Sequence, residues 1–140
     1  MTTYDLERFV AAQDAGGTYE QALAELRRGR KTSHWMWFVF PQVAGLGRSS
    51  TARFYAVSGL EEAQAYVAHP VLGPRLRESA TALTGLPGSD PVAVFGSVDA
   101  VKLRSSMTLF ARADPAEPVY AAVLDQYFAG AADVSTLQLL

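Results

Sequence analysis

The segment Lys31-Thr32-Ser33-His34-Trp35-Met36-Trp37-Phe38-Val39-Phe40-Pro41-Gln42 carries four Trp or Phe rings, including both tryptophans of the chain and one of its two histidines. A stretch this apolar does not stay in water as a loop. It forms either the centre of a core or the wall of a pocket. Periodicity alone does not separate a short buried helix from a buried strand. Ser33 suits an N-cap, and the flanking segments read as helices, so a helix from His34 to Phe40 is predicted. Pro41 ends it, because its ring removes a backbone donor and restricts the residue before it.

The rest of the chain is punctuated by Gly, Pro, Ser and Asp, with helical spacing between. Thr3 is read as the cap of a first helix carrying Leu6, Phe9 and Val10, which stops at Gly16-Gly17. Thr18 starts a second through Arg28, with Gln21 in capping-box position and an apolar stripe of Tyr19, Ala22, Leu23 and Leu26. A short helical piece is expected around Thr51 to Val57. Ser58 and Glu61 are read as a capping box for a helix that runs to His69-Pro70. Gly73-Pro74 opens a helix over Arg75 to Leu83, Asp90-Pro91 and Ser97 start others, and the last long helix spans Pro118 to Phe128. Asp133 caps a tail turn carrying Leu137, Leu139 and Leu140. No run alternates in the manner of a strand, and no Asn-Gly or Asp-Gly hairpin turn occurs. The prediction is one all-α domain, residues 1–140, a compact bundle of seven to eight short helices.

Composition narrows the function. A chain of 140 residues with 49% hydrophobic residues folds around one core without staples. The absence of cysteine excludes disulfides, thiolate metal sites and a cysteine nucleophile. With two histidines a zinc site is not expected, and no other cofactor is called for. A net charge of −2 argues against nucleic acid as partner. No apolar run reaches the ~18 residues of a membrane span, and the first residues lack a secretion signal. A soluble cytoplasmic protein is expected.

Projecting Ser97 to Ala113 on a helical wheel groups Leu103, Met107 and Phe110, with Ala100 beside them. Arg104, Thr108 and Arg112 fall on the opposite side, read as solvent-facing. Asp99, Lys102 and Ser106 fall inside the apolar arc. A charge there must be paired or face a cavity. One reading is an Asp99–Lys102 pair at i,i+3 spacing that reaches the surface along the lysine stem. The other is the polar wall of a ligand site, with Lys102 meeting an anion and Ser105 and Ser106 offering hydroxyls. His34, Trp35, Trp37 and Gln42 are the matching candidates on the aromatic segment, and Arg30 and Lys31 at its head are candidates for the mouth of an anion site. Each has a plain alternative: His34 as a satisfied core histidine, the tryptophans as core, the Arg27–Lys31 run as a cationic face complementing a helix C-terminus. His69 at a helix end is read as structural.

The nucleophile-elbow, phosphate-loop, zinc-protease and dinucleotide fingerprints do not occur, so the sequence assigns no reaction. It supports two classes of function. One is a domain that binds or processes an anionic metabolite, such as a nucleotide or an ADP-ribose-like molecule, in an aromatic pocket. The other is a non-enzymatic protein-interaction module whose polar core residues are structural.

The stretch Gly29 to Gln42, together with His69-Pro70-Val71-Leu72-Gly73-Pro74-Arg75-Leu76, Phe95-Gly96-Ser97 and Lys102 to Phe110, resembles a small, mostly bacterial family of unknown function, DUF1810. The likeness runs from Leu6 to the C-terminus and implies a mainly helical single domain with no assigned catalytic residues. Members usually have Pro-Asp-Asp where this chain has Val98-Asp99-Ala100, so a role that needs two carboxylates there does not carry over. Some members are labelled calpastatin, but an inhibitor of that type is a disordered chain, and this composition folds.

Overall fold

The computed structural model describes residues 4–140, whose regular elements are helices with no strand among them; Val43 and Val57 form one isolated parallel bridge. The helices are α1 (Glu7–Asp14), α2 (Thr18–Arg28), α3 (Met36–Val39), α4 (Ser50–Phe54), α5 (Leu60–Ala68), α6 (Leu72–Thr84), α7 (Pro91–Ala113), α8 (Val119–Phe128) and α9 (Val134–Gln138), with a 3-10 turn at Ala15–Gly17 between the first two. The all-α expectation holds. The proposed cap Thr3 lies outside the described residues.

The long helix α7 is the axis of the fold. It packs against α5, α8 and α9, while α6 lies against α2, α5 and α8. Leu103, Met107 and Phe110 of α7 are fully buried, as their wheel position requires, and meet Tyr66, Leu72, Leu76, Leu83 and Tyr120 in one core. Phe110 sits 5.2 Å from the Tyr66 ring and 6.0 Å from that of Tyr120. The α5–α6 corner is tight enough to require glycine: a Cβ on Gly73 would lie 2.2 Å from the Val67 carbonyl oxygen.

Gly96, at φ 80° and ψ 166°, breaks the α7 ladder. Both helix starts read in the sequence are therefore real, one at Asp90, which caps Val92, and one after the break. The break turns Phe95 inward against Trp35 and Phe40, with ring centroids 6.4 and 6.2 Å away.

Several local readings are corrected by tertiary contacts. The aromatic helix is a single turn, Met36–Val39, and Ser33 does not cap it; its hydroxyl donates to Glu25. Gln21 makes no capping box and donates to Glu25 as well. At α5 the reciprocal bond runs from the Ser58 N–H to Glu62, one residue beyond the expected Glu61. The piece predicted at Thr51 to Val57 is α4, capped by Ser49, and Val57 lies in the bridge to Val43. On the face of α7 read as solvent-exposed, Arg112 is exposed, but Arg104 and Thr108 are covered by the C-terminal segment. Thr108 is buried and accepts from the Asp133 N–H, and Arg104 donates to the carbonyls of Ala131 and Ala132.

Candidate functional site

The loop from Gly29 to Trp35 is held by one carboxylate. Glu25 of α2 is fully buried. It accepts from the backbone N–H groups of Thr32 and Ser33 at 2.7 and 3.0 Å, from the Trp35 indole at 2.9 Å, from Gln21 at 3.0 Å and from the Ser33 hydroxyl. Burial opposes its ionisation, but hydrogen bonds from Ser33, Thr32, Trp35 and Gln21 outweigh that effect and hold its carboxyl well below the usual carboxylate range. No cation is needed, because the donors supply the compensating dipoles. The anchored loop fixes Trp35 in the core, 1% exposed, and presents the next residues to α7.

Lys31 leaves the same loop. Its backbone N–H donates to the Val94 carbonyl at 2.8 Å, which ties the loop to the first half of α7. Its ammonium turns inward, donating to the Ser33 carbonyl at 2.7 Å, pairing with Asp99 at 2.8 Å and lying 5.0 Å from the Trp35 ring centroid. Lys102 reaches the same carboxylate from α7 at 3.0 Å and stands 4.1 Å over the Trp37 ring. Two ammonium groups thus share one carboxylate, with side-chain exposures of 8% and 19% for Lys31 and Lys102. Burial works against the Asp99 charge, but the bonds from Lys31 and Lys102 prevail, and its carboxyl lies below the ordinary aspartate value.

Trp37 and Lys102 form a wall between two cavities. On one side is a cleft of about 490 Å³, lined by Gln42, Leu46, Gly47, Ser97, Val98, Val101, Ser105, Asp133 and Ser135. On the other is a cavity of about 300 Å³ that adds Lys31, His34, Phe38, Thr51 and Asp99. A smaller hollow of about 160 Å³ lies by Trp37 and Gln42, against Val43, Gly47 and Tyr55. Gln42 is positioned by the bridge: its carbonyl accepts from the Val57 N–H at 2.9 Å, and the Ala44 N–H returns a bond to Val57 at 2.7 Å. Gly47 permits close packing there, since a Cβ would come within 2.5 Å of that of Ala52.

Most of the residues singled out in the sequence meet here. Trp37, Gln42, Lys102 and Ser105 line the cleft, and Lys31, His34, Trp35 and Asp99 line the adjoining cavity. The two tryptophans differ in burial: Trp35 is a core residue that also backs the smaller cavity, whereas Trp37 is partly open and lines both. His34 is an exposed residue, not a core histidine. Arg30 is exposed and lines neither cavity. Ser106 is fully buried with no hydrogen-bond partner for its hydroxyl, and it too lines neither. His69 is structural: its Nδ1 accepts from the Val71 and Leu72 N–H groups at 3.1 and 3.2 Å at the start of α6, and its Nε2 lies 3.6 Å from Glu7. Two residues escaped the sequence reading of the site. Glu25 stands beside Leu26 on the buried face of α2, a carboxylate within an apolar stripe. Asp133 was read as a cap only. It does cap α9 at Thr136, and it also lines the cleft. Among the described residues no group of three His, Asp or Glu side chains is placed to hold a metal ion, and no helix is long and apolar enough to cross a membrane.

Comparison with known proteins agrees with the fold and is silent on chemistry. A family model described as "Protein of unknown function (DUF1810)" matches residues 3–140. The crystal structure of the conserved hypothetical protein Rv1873 from Mycobacterium tuberculosis is 49% identical over 99% of this chain and 98% of that one, with a TM-score of 0.95. No curated protein matches the chain.

Proposed function

The chain belongs to the DUF1810 family, whose function is unknown, and from the chemistry of the site we propose that it binds a small organic anion at the wall made by Trp37 and Lys102. The observation that carries this reading is the sharing of Asp99 by two largely buried lysines. One positive charge is left over beside cavities of about 490 and 300 Å³, within the size range of small-molecule sites. A phosphate or carboxylate supplies the missing negative charge, and a flat group packs along the half-exposed indole of Trp37. Nucleotides and their ADP-ribose-like relatives have this make-up.

The test is thermal-shift screening of wild type and Lys102→Met against nucleotides, sugar phosphates and carboxylates. A binding ligand at ~100-fold excess over its Kd stabilises by about 2.7 kcal/mol. The expected result is stabilisation of the wild type that Lys102→Met loses. Stabilisation that survives the substitution refutes the assignment of Lys102.

A second reading rests on a different observation. Val98 and Val101, which line the cleft, are 68% and 61% exposed, and Val134 beside it in sequence is 63% exposed. An interaction module would use this apolar rim, leaving the lysines as structure. In that case Val98→Asp with Val101→Asp abolishes partner capture, while Lys102→Met does not.

A further inference from the structure

Resting on the anion reading, we infer that the ligand is single-ended: its negative charge sits on the His34 side of the Trp37–Lys102 wall, and its other end, in the cleft, is uncharged and carries a hydrogen-bond donor. The two cavities differ in charge. The smaller one is lined by Lys31, Lys102 and Asp99, two cations to one carboxylate, with the His34 ring at its edge. The cleft is lined by Lys102 and Asp133, one cation to one carboxylate, and that cation is already engaged by Asp99. An anion therefore gains on the His34 side and meets a carboxylate on the other.

Asp133 also says what the far end must offer. Its Oδ2 is filled: it accepts from the Thr136 N–H at 3.0 Å, from the Ser105 hydroxyl at 3.2 Å and from the Thr136 hydroxyl. Its Oδ1 accepts from no described residue, and the side-chain amide of Gln42, in the same cleft, has no partner among them either. A carboxylate oxygen is acceptor-only, so the complementary group is an O–H or N–H. Val98, Val101 and Leu46 give the cleft its apolar surface, beside the hydroxyl-bearing Ser97, Ser105 and Ser135. The ligand class is an anionic head, an apolar or flat body against Trp37, and a hydroxyl, amine or amide at the far end. A nucleoside monophosphate meets this description, whereas a molecule with an anion at each end does not.

The experiment is an NMR titration that follows the Trp37 indole N–H, using two probe pairs: para-hydroxybenzoate against terephthalate, and adenosine monophosphate against adenosine bisphosphate. Wild type should prefer the single-ended member of each pair by about tenfold or more, because a second anion placed against the open Oδ1 of the Asp133 carboxylate is disfavoured. Asp133→Asn keeps a residue that caps helices as well as aspartate does, and should bring the preference to within about twofold. Gln42→Glu, which leaves α9 untouched, should widen it. Binding that depends on Lys102 but shows no preference in wild type, or a preference unchanged in both variants, overturns this inference and leaves the anion site standing. Binding of none of the four probes in a Lys102-dependent manner overturns the anion site and this inference with it.

Discussion

Removing Lys102 and Lys31 separately and together distinguishes a shared carboxylate from two independent contacts. Lys102→Met keeps most of the stem and deletes the charge. Asp99 still has Lys31 at 2.8 Å, so it is not left bare. The losses are one charged hydrogen bond and the contact over Trp37, offset by relief of repulsion between the two ammonium groups. The expected net cost is about 1 kcal/mol. Lys31→Met also gives up the bond to the Ser33 carbonyl from a more buried position, and should cost about 2 kcal/mol. The double variant strands Asp99, the situation in which a buried partner's removal costs about 3–5 kcal/mol. A value near 4–5 kcal/mol exceeds the sum of the single changes by about 1–2 kcal/mol, within the range of coupled neighbours. The assay is urea unfolding of the four proteins. Acid provides an independent check. The Asp99 carboxyl is depressed in the fold, so its contribution is complete above the ordinary aspartate value, near ~3.9, and is lost as pH falls through the lowered one. The double variant should lack that acid-labile component. A loss of 3 kcal/mol or more from Lys102→Met alone refutes the reasoning, because Asp99 would then depend on Lys102 as its structural partner. Strict additivity refutes it too.

Glu25→Gln should destabilise by about 2–4 kcal/mol, since an amide places donors against the donors of Thr32, Ser33 and Trp35. Glu25 is held below the usual carboxylate range, so its contribution is present above pH ~4–5 and fades on acidification; unfolding free energies of wild type and variant should converge toward low pH, and parallel curves would count against this. Tyr120→Phe should be neutral or stabilising by up to ~1 kcal/mol, because the buried hydroxyl has no partner; a loss above 1 kcal/mol on thermal unfolding contradicts it. Gly73→Ala should cost about 3 kcal/mol or more, as its Cβ meets the backbone of Val67; a Tm within a degree or two of wild type would show that the α5–α6 corner is not rigid.

Features that depend on spacing within one element were legible in the sequence. The arc of α7 that gathers Leu103, Met107 and Phe110 also flagged Asp99 and Lys102 as charges in an apolar surround, and both now line a cavity. Features that depend on what another segment brings were not. Ser33 has the chemistry of a cap, but a buried carboxylate eight residues earlier competes for its hydroxyl and wins. Thr108 and Arg104 look solvent-facing until the segment after α8 folds over them. Ser106 sits on the arc expected to face a ligand, yet the core closes around it. The one available hint of Glu25 was its place beside Leu26 on an otherwise apolar face; its five donors, contributed by both helix and loop, follow no local pattern.

The different fates of the two indoles give the protein a pair of built-in optical reporters. Trp35 is sealed in the core, its N–H on the Glu25 carboxylate, so its emission should stay blue and resist collisional quenchers until the whole fold gives way. Trp37 stands half-open at the cavity wall with an ammonium over its ring, so an anionic quencher such as iodide is drawn to it first. A quenching curve with one accessible and one protected component would then read the site and the core separately in a single cuvette. A Trp37→Phe variant would leave only the protected component.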